Sequence, residues 1–288
     1  MMKKIDQGIQ FIEQHLALFR CPSCGQPYDH IDGYSLTCVN GHSLDVSKKG
    51  TLYFLNHAVN TEYDDGMLAA RRRVLQAGLF DGIVDAVSAA LPSEAQTILD
   101  VGTGEGTPFV RLLNGRDNRD TAIGFDISKA GVNLATQLDT EAFFAVADLA
   151  NLPFADDAFS SVIEFFSPSA YAEFNRVLAP GGTIVKVVPG PFYLRELREM
   201  LYPEGSSKHT YDNGRVVELF KEHYPDATST EVSYEWTIPS DLYADLLHMT
   251  PLHWGARPEA QQAAENTPLT TITVNVVVLT TKNDVKGK

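Results

Sequence analysis

Ile98-Leu99-Asp100-Val101-Gly102-Thr103-Gly104-Glu105-Gly106 is an apolar run that enters a glycine-rich turn directly. The aliphatic and β-branched residues from Thr97 to Val101 predict a strand, and the glycines predict a tight turn opening a helix. In a dinucleotide-binding domain such glycines let backbone approach a pyrophosphate. Here the spacing is Gly-x-Gly-x-Gly, and Asp100 stands two residues before the first glycine. A carboxylate at that point helps to fix an amino-acid ammonium group, while the glycines leave room for a methionine chain and a ribose. Many tight turns look like this one in isolation, so its weight comes from what surrounds it.

Downstream the chain alternates. Ala122 to Asp126, Phe143 to Ala147, Ser161 to Phe166 and Thr183 to Val188 are short β-branched or aromatic runs separated by helical stretches. That alternation predicts an α/β, doubly wound fold with a parallel sheet covered on both faces. Thr230 to Thr237 and Thr270 to Thr281 read as an antiparallel, hairpin-like pair closing the sheet. The second strand ends in Gly124-Phe-Asp126, where an acid accepts hydrogen bonds from a ribose diol. After the third comes Ala147-Asp148-Leu149 and then Leu152-Pro153-Phe154, a carboxylate and an apolar rim suited to an adenine. The alternative for Asp126 and Asp148 is that they only cap loops. Arg176-Val-Leu-Ala-Pro180-Gly181-Gly182 then leads into a strand. In this order the segments match the signature of class I S-adenosylmethionine methyltransferases. A nicotinamide dehydrogenase, the competing use of the architecture, would need the Gly-x-Gly-x-x-Gly spacing that the turn lacks.

The N-terminal part has a different texture. Apolar positions Ile5, Ile9, Phe11, Ile12, Leu16 and Phe19 predict a short helix, and residues 20–57 are turn-rich, with strand-like pieces at Ser35 to Cys38 and Thr51 to Leu55. So small a segment needs a staple. All three cysteines of the chain lie in it, as Cys21-Pro-Ser-Cys24 and Cys38-Val-Asn-Gly-His42. Three thiolates and an imidazole in two short knuckles suit a closed, tetrahedral, structural zinc site, with Gly25 and Gly41 in the turns. The organisation expected is therefore a helix and zinc-binding domain at 1–57, a polar linker at 58–66 and a catalytic domain at 67–288. That last domain would open with a helical run from Met67 to Leu91 and finish in a frayed tail at Lys282 to Lys288.

The chain has 288 residues, 44% hydrophobic and 21% charged, which suits a globular protein. Its apolar runs are too short for a bilayer span, and Met1-Met2-Lys3-Lys4 is followed by no signal-like apolar stretch, so a soluble, cytoplasmic protein is expected. A net charge of -14 argues against generic, charge-driven binding to nucleic acid. Any RNA contact must be local, and the basic clusters that offer one are Arg20, Lys48 and Lys49, then Arg71-Arg72-Arg73, all of which would otherwise be ordinary solvated residues.

Taken over nearly its whole length, the sequence resembles the RlmA family of 23S ribosomal RNA guanine-N1 methyltransferases. The resemblance rests on the zinc knuckles, the segment Gly66-Met67 to Phe80, the turn at Gly102 to Gly106, Pro189-Gly-Pro191 with Leu194-Arg-Glu-Leu197, and Met249-Thr-Pro251 with Trp254-Gly-Ala-Arg257-Pro258. It implies S-adenosylmethionine as cofactor and zinc held by Cys21, Cys24, Cys38 and His42. It further implies a cofactor pocket that includes Phe80, Asp100, Gly102, Gly104, Glu105, Gly106, Asp126, Asp148 and Tyr193. The sequence departs from the family pattern at Tyr193, where histidine is usual, and at Thr103, where cysteine is common. The partner implied is a hairpin of 23S RNA, touched by Arg20, Lys48, Lys49 and Arg71 to Arg73, with a homodimer of facing zinc domains as a form that would suit a hairpin. Methyl transfer also needs removal of the N1 proton, and no catalytic base stands out. Glu164 and Phe165-Phe166-Ser167-Pro168 follow the fourth strand on the acceptor side, where one phenylalanine would stack on a flipped base or both would be core. A small-molecule methyltransferase and a non-catalytic cofactor-binding regulator use the same pocket and stand as the alternatives.

Overall fold

The computed structural model of the chain describes residues 2–55, 59 and 64–282. Helix α1 (Lys4–His15) leads through one 3-10 turn into β1 (Tyr28–Asp32), β2 (Ser35–Cys38), β3 (Ser43–Asp45) and β4 (Leu52–Tyr53), followed by α2 (Asp65–Gln76) and α3 (Asp81–Ala90). The alternating part consists of β5 (Thr97–Val101), α4 (Thr107–Gly115), β6 (Thr121–Asp126), α5 (Lys129–Ala135), β7 (Phe143–Val146), β8 (Phe159–Phe165), α6 (Tyr171–Val177) and β9 (Leu178–Pro189). After it come α7 (Arg195–Leu201), α8 (Gly214–His223), β10 (Thr228–Thr237), α9 (Tyr243–Met249), α10 (Pro251–Trp254), α11 (Pro258–Asn266) and β11 (Thr271–Lys282). Packing divides the chain into two compact units. One holds Leu91–Val185 with the described residues of the first 62 and Lys282; the other holds Lys186–Thr281 with the described residues of 63–90. The expected linker at 58–66 is described only at residue 59 and from residue 64, and the expected frayed tail beyond Lys282 lies outside the described residues.

In the first unit the strands run in the order β9-β8-β5-β6-β7-β4, and β8, β5, β6, β7 and β4 are mutually parallel. Ile98, Leu99 and Val101 are almost wholly buried, as are Ile123, Phe143 and Val162. Such continuous apolar runs are what a strand covered on both faces requires. The chain leaves β5 toward β6 on one side and returns to β8 on the other, so the turn after β5 opens at the topological switch point, where ligands bind in such sheets. A buried ion pair sets the opposite end of these strands. Arg116 donates from Nε to Asp120 at 2.7 Å and from its terminal nitrogen to the carbonyls of Pro92 and Glu94, while Asp120 accepts the backbone N–H of Gln96 at 2.7 Å.

The N-terminal segment shares the core of this unit. β4 adds a parallel edge strand to β7, Phe11 stacks on Phe143 at 5.1 Å, and Phe19, fully buried, meets Phe143 edge-on at 5.5 Å. A segment with too few apolar residues for a core of its own thus completes one against the sheet.

In the second unit β10 and β11 pair antiparallel, from Thr228 opposite Thr280 to Thr237 opposite Thr271. They form the expected antiparallel pair, with α9, α10 and α11 between them in the chain. The single helical run expected from Met67 to Leu91 is two helices, because Gly78 adopts φ 102, which an L side chain resists, and ends the first. The Asp64 carboxylate caps α2 by accepting the Met67 N–H at 2.7 Å, and Arg73 donates twice, at 2.6 Å, to Asp245 of α9. Among the described residues no helix is long and apolar enough to cross a membrane.

Candidate active site and metal centre

The turn that follows β5 is held from several sides. A Cβ on Gly102 would come within 2.8 Å of the Ser167 Cβ, and one on Gly131 would reach the Gly104 carbonyl oxygen at 2.9 Å. The loop after β8 and the start of α5 therefore both press on the turn. Gly104 is different: its φ is 57, and a Cβ there would meet nothing within 4 Å. The turn has an open side, and two buried polar atoms accompany it. Among the described residues Asp100 Oδ1 and Thr103 Oγ1 have no hydrogen-bond partner, and Asp100 is 2% exposed. A buried polar atom left unpaired costs about 1–3 kcal/mol, so a ligand bringing a donor to this point recovers that cost. Burial raises the Asp100 carboxyl to about 7; the neighbouring Thr103 hydroxyl opposes the rise and the Asp126 carboxylate adds to it. A cationic amine supplies both the donor and the charge that this carboxyl lacks, so the residues present fit the amino-acid end of S-adenosylmethionine.

Asp126, at the end of β6, accepts the Gly104 N–H at 2.8 Å and the Ser128 N–H at 2.7 Å. Asp148 accepts the Ala150 N–H at 2.9 Å. Both acids thus hold their loops, and a carboxylate with about four acceptor positions retains capacity for a ribose or an adenine. Glu105, 1% exposed, turns into the first turn of α4, accepting the backbone N–H and hydroxyl of Thr107 at 3.1 and 2.6 Å. Gly106 takes φ 87 against Ala135. Beyond β8, Glu164 is fully buried and accepts the Ser169 hydroxyl at 2.8 Å. Phe165 is core. Phe166 is partly exposed at φ 61, a backbone region that costs a bulky residue energy and that clusters at functional sites.

Phe80 and Tyr193 belong to the second unit. Phe80 is 2% exposed, with the Arg71 guanidinium 5.5 Å above its ring. Tyr193 is partly buried, and burial pushes its phenol up to about 12 against the opposing cations Arg71 and Arg198. Arg72 is partly exposed and Arg73 is engaged with Asp245.

The four expected metal ligands converge: one ligand atom from each of Cys21, Cys24, Cys38 and His42 lies within 4.8 Å of all the others. Cys24 Sγ is 3.7 Å from Cys38 Sγ, which is 3.5 Å from His42 Nδ1. A tetrahedron with Zn–S about 2.3 Å and Zn–N about 2.0–2.1 Å has S–S and S–N edges of about 3.8 and 3.6 Å. The donor set and the spacing fit zinc with no coordination position left over. The Gln26 N–H lowers the Cys24 thiol, favouring the thiolate a metal needs, whereas burial raises Cys21. Lys48 and Lys49 stand exposed in the turn before β4.

Arg20 does not point outward with them. Its Nε donates to the Leu152 carbonyl at 3.2 Å, and its guanidinium nitrogens lie 3.6 and 3.7 Å from the carboxylates of Asp156 and Glu173. Arg176 joins the group, pairing with Glu173 at 2.7 Å and Asp156 at 2.8 Å. Sequence reading missed this cluster, since Asp156, Glu173 and Arg176 are 136, 153 and 156 residues from Arg20 and only Glu173 and Arg176 show a helical i, i+3 spacing that a scan for paired charges detects.

A family model described as a methyltransferase domain matches residues 98–182. A Bacillus subtilis (strain 168) protein, provisionally named 23S rRNA (guanine-N(1)-)-methyltransferase YxjB, is 37% identical over 273 residues, covering 91% of this chain and 96% of its own. The 23S rRNA (guanine(748)-N(1))-methyltransferase of Streptomyces fradiae is 28% identical over 266 residues, covering 89% of this chain and 94% of its own. A Micromonospora griseorubida protein, also provisionally named as a 23S rRNA (guanine-N(1)-)-methyltransferase, is 29% identical over 279 residues, covering 87% and 92%.

Proposed function

The chain belongs to the RlmA family of 23S rRNA (guanine-N1)-methyltransferases, and from that membership we propose how it acts as an S-adenosylmethionine-dependent methyltransferase of ribosomal RNA, on N1 of one guanine in a 23S hairpin. The observation that carries the chemistry is the pair of unsatisfied buried oxygens, Asp100 Oδ1 and Thr103 Oγ1, beside the open face of Gly104. When bound, S-adenosylmethionine supplies an electrophilic methyl group on a sulfonium. Asp100 and Thr103 hold the amino-acid end, Asp126 accepts from the ribose and Asp148 from the adenine. Methyl transfer would be an in-line displacement in which N1 gains the methyl, S-adenosylhomocysteine leaves and the N1 proton passes to solvent, so the protein chiefly has to align the acceptor nitrogen. The loop after β8, which presses on Gly102 through Ser167, supplies that alignment: Phe166 stacks on the extruded guanine, and Ser169 fixes the buried Glu164 behind it.

The metal-binding module, assigned to 1–57, meets RNA through Lys48 and Lys49, which contact phosphates, as does Arg72 of the second unit. Arg20, whose charge two carboxylates already claim, is left out of that surface. The protein works in the cytoplasm on ribosomal RNA, and the acidic remainder of the chain repels RNA elsewhere. The test is transfer of a labelled methyl group from S-adenosylmethionine to unmodified large-subunit RNA, with the nucleotide mapped. Label at N1 of one hairpin guanine supports the reading; binding of cofactor without label on RNA would replace it with a small-molecule acceptor or a regulatory role.

A further inference from the structure

We propose that Arg20 is a positioning residue for the cofactor site: with Arg176 and Glu173 it clamps the loop 148–156 to the metal knuckle, so that an intact metal site sets the affinity for S-adenosylmethionine. The inference rests on the assignment of Asp148 to the cofactor. The loop runs from β7, and its backbone is tied down almost group by group. Its Leu152 N–H donates to Glu173 at 2.7 Å, and the Leu152 carbonyl accepts from Arg20 at 3.2 Å and Arg176 at 3.0 Å. The Pro153 carbonyl accepts the Arg20 backbone N–H at 3.1 Å, and the Phe154 carbonyl accepts from Arg176 at 2.7 Å. Ala155 donates its N–H to the Leu18 carbonyl at 2.9 Å, closing an antiparallel bridge between Phe19 and Phe154. Asn151 Nδ2 reaches the carbonyl of Pro22, between the first two metal ligands, at 3.5 Å. Leu152, Pro153 and Ala155 are thus hydrogen-bonded to the chain segment that ends in Cys21.

The metal end of this clamp is equally direct. Cys21 donates its N–H to the Gln26 carbonyl and accepts the Gly25 N–H, both at 2.8 Å, forming the knuckle. Metal ligation of Cys21 and Cys24 fixes this turn, and with it the position of Arg20 and of the Pro22 carbonyl. Without it the segment 18–22 loses its staple, and cofactor binding must itself order the loop that carries Asp148. Ordering backbone opposes binding, so a loop held in place beforehand gives tighter binding with no new contact to the ligand. Arg20 touches neither Asp148 nor the glycine turn, so its effect belongs to affinity and not to the transfer step.

The test uses full-length, metal-loaded protein and titration calorimetry with S-adenosylhomocysteine, alongside metal content per chain. Arg20→Ala is expected to keep its metal and to bind S-adenosylhomocysteine about tenfold more weakly. Its KM for S-adenosylmethionine should rise by a similar factor, with kcat at saturating cofactor within about twofold of wild type. Arg20→Lys, which keeps the charge, should recover part of the loss. Should Arg20→Ala fail to fold or lose its metal, Asp156→Asn, at a carboxylate two-thirds exposed, removes one partner of the clamp and should weaken binding about two- to fivefold. Stripping the metal from wild type with a chelator should weaken binding about as much as Arg20→Ala, and added zinc should restore it. Wild-type affinity in Arg20→Ala or Asp156→Asn, or in the stripped protein, overturns the coupling while leaving the cofactor assignment standing. Wild type that binds no S-adenosylhomocysteine overturns both.

Discussion

Asp100 should make cofactor affinity climb with pH across the neutral range. Its carboxyl is buried, with no partner for Oδ1 among the described residues, and burial raises it to about 7. A bound ammonium group favours the carboxylate, so binding must expel a proton from the fraction of molecules still protonated. With a pKa of about 7 in the free protein and one well below 6 in the complex, apparent Kd scales as 1 + 10^(pKa−pH). That factor is about eleven at pH 6 and about 1.1 at pH 8, an affinity gain of about tenfold, or about 1.4 kcal/mol. The stability of the unliganded protein runs the other way. A carboxyl whose folded pKa lies above its unfolded value contributes stability that is present below about pH 4 and is lost as pH rises through about 7. Titration calorimetry with S-adenosylhomocysteine, whose amino-acid ammonium stays protonated across this range, measures the affinity, and denaturant melts of the unliganded protein measure the stability. Repeating it at pH 7 in buffers of different ionisation enthalpy should show release of about half a proton per site. Asp100→Asn should flatten the pH profile, weaken binding about 10- to 100-fold through loss of a charge-assisted hydrogen bond, and raise the neutral-pH stability of the unliganded protein. A flat Kd between pH 6 and 8 in the wild type, with no proton release, refutes the reasoning.

Cys24→Ser should abolish stoichiometric metal binding, measured as zinc per chain, and lower the melting temperature, because β1, β2 and β3 form a small sheet of their own. Lys48→Glu with Lys49→Glu should cut RNA methylation at moderate salt and reduce the slope of log affinity against log salt by about 1–2, while leaving S-adenosylhomocysteine binding unchanged; unaltered RNA affinity would remove these lysines from the interface. Phe166→Gly should relieve the left-handed backbone and raise stability by up to about 1 kcal/mol in denaturant melts, yet lower kcat on RNA, and a variant that keeps full kcat would show that the ring stacks on nothing. Arg116→Met should destabilise the protein by about 3–5 kcal/mol, since it strands the fully buried Asp120, and Arg116→Met with Asp120→Leu should be milder than the single change.

Elements governed by short-range pattern were legible from the chain. The strand at Thr97–Val101 coincides with its apolar run, because a strand buried on both faces writes its burial into consecutive residues, whereas Ser35–Cys38 buries alternate residues, Leu36 and Cys38. The convergence of Cys21, Cys24, Cys38 and His42 was legible because two close pairs of donors fix their own local turns. The acids at Asp100, Asp126 and Asp148 followed from their fixed distances to strand ends. What the chain could not announce was which carboxylate meets which cation. Arg20 reads as a surface charge, and only folding brings Asp156, Glu173 and Arg176 to it. Nor does sequence say which of Phe165 and Phe166 is core, since a one-residue shift at a strand end moves a side chain to the opposite face. Local sequence thus determined the elements and the donor sets, whose physics is settled within a few residues. Tertiary structure decided desolvation and long-range pairing, and those two terms make Asp100 a neutral-pH titrating group and turn Arg20 inward.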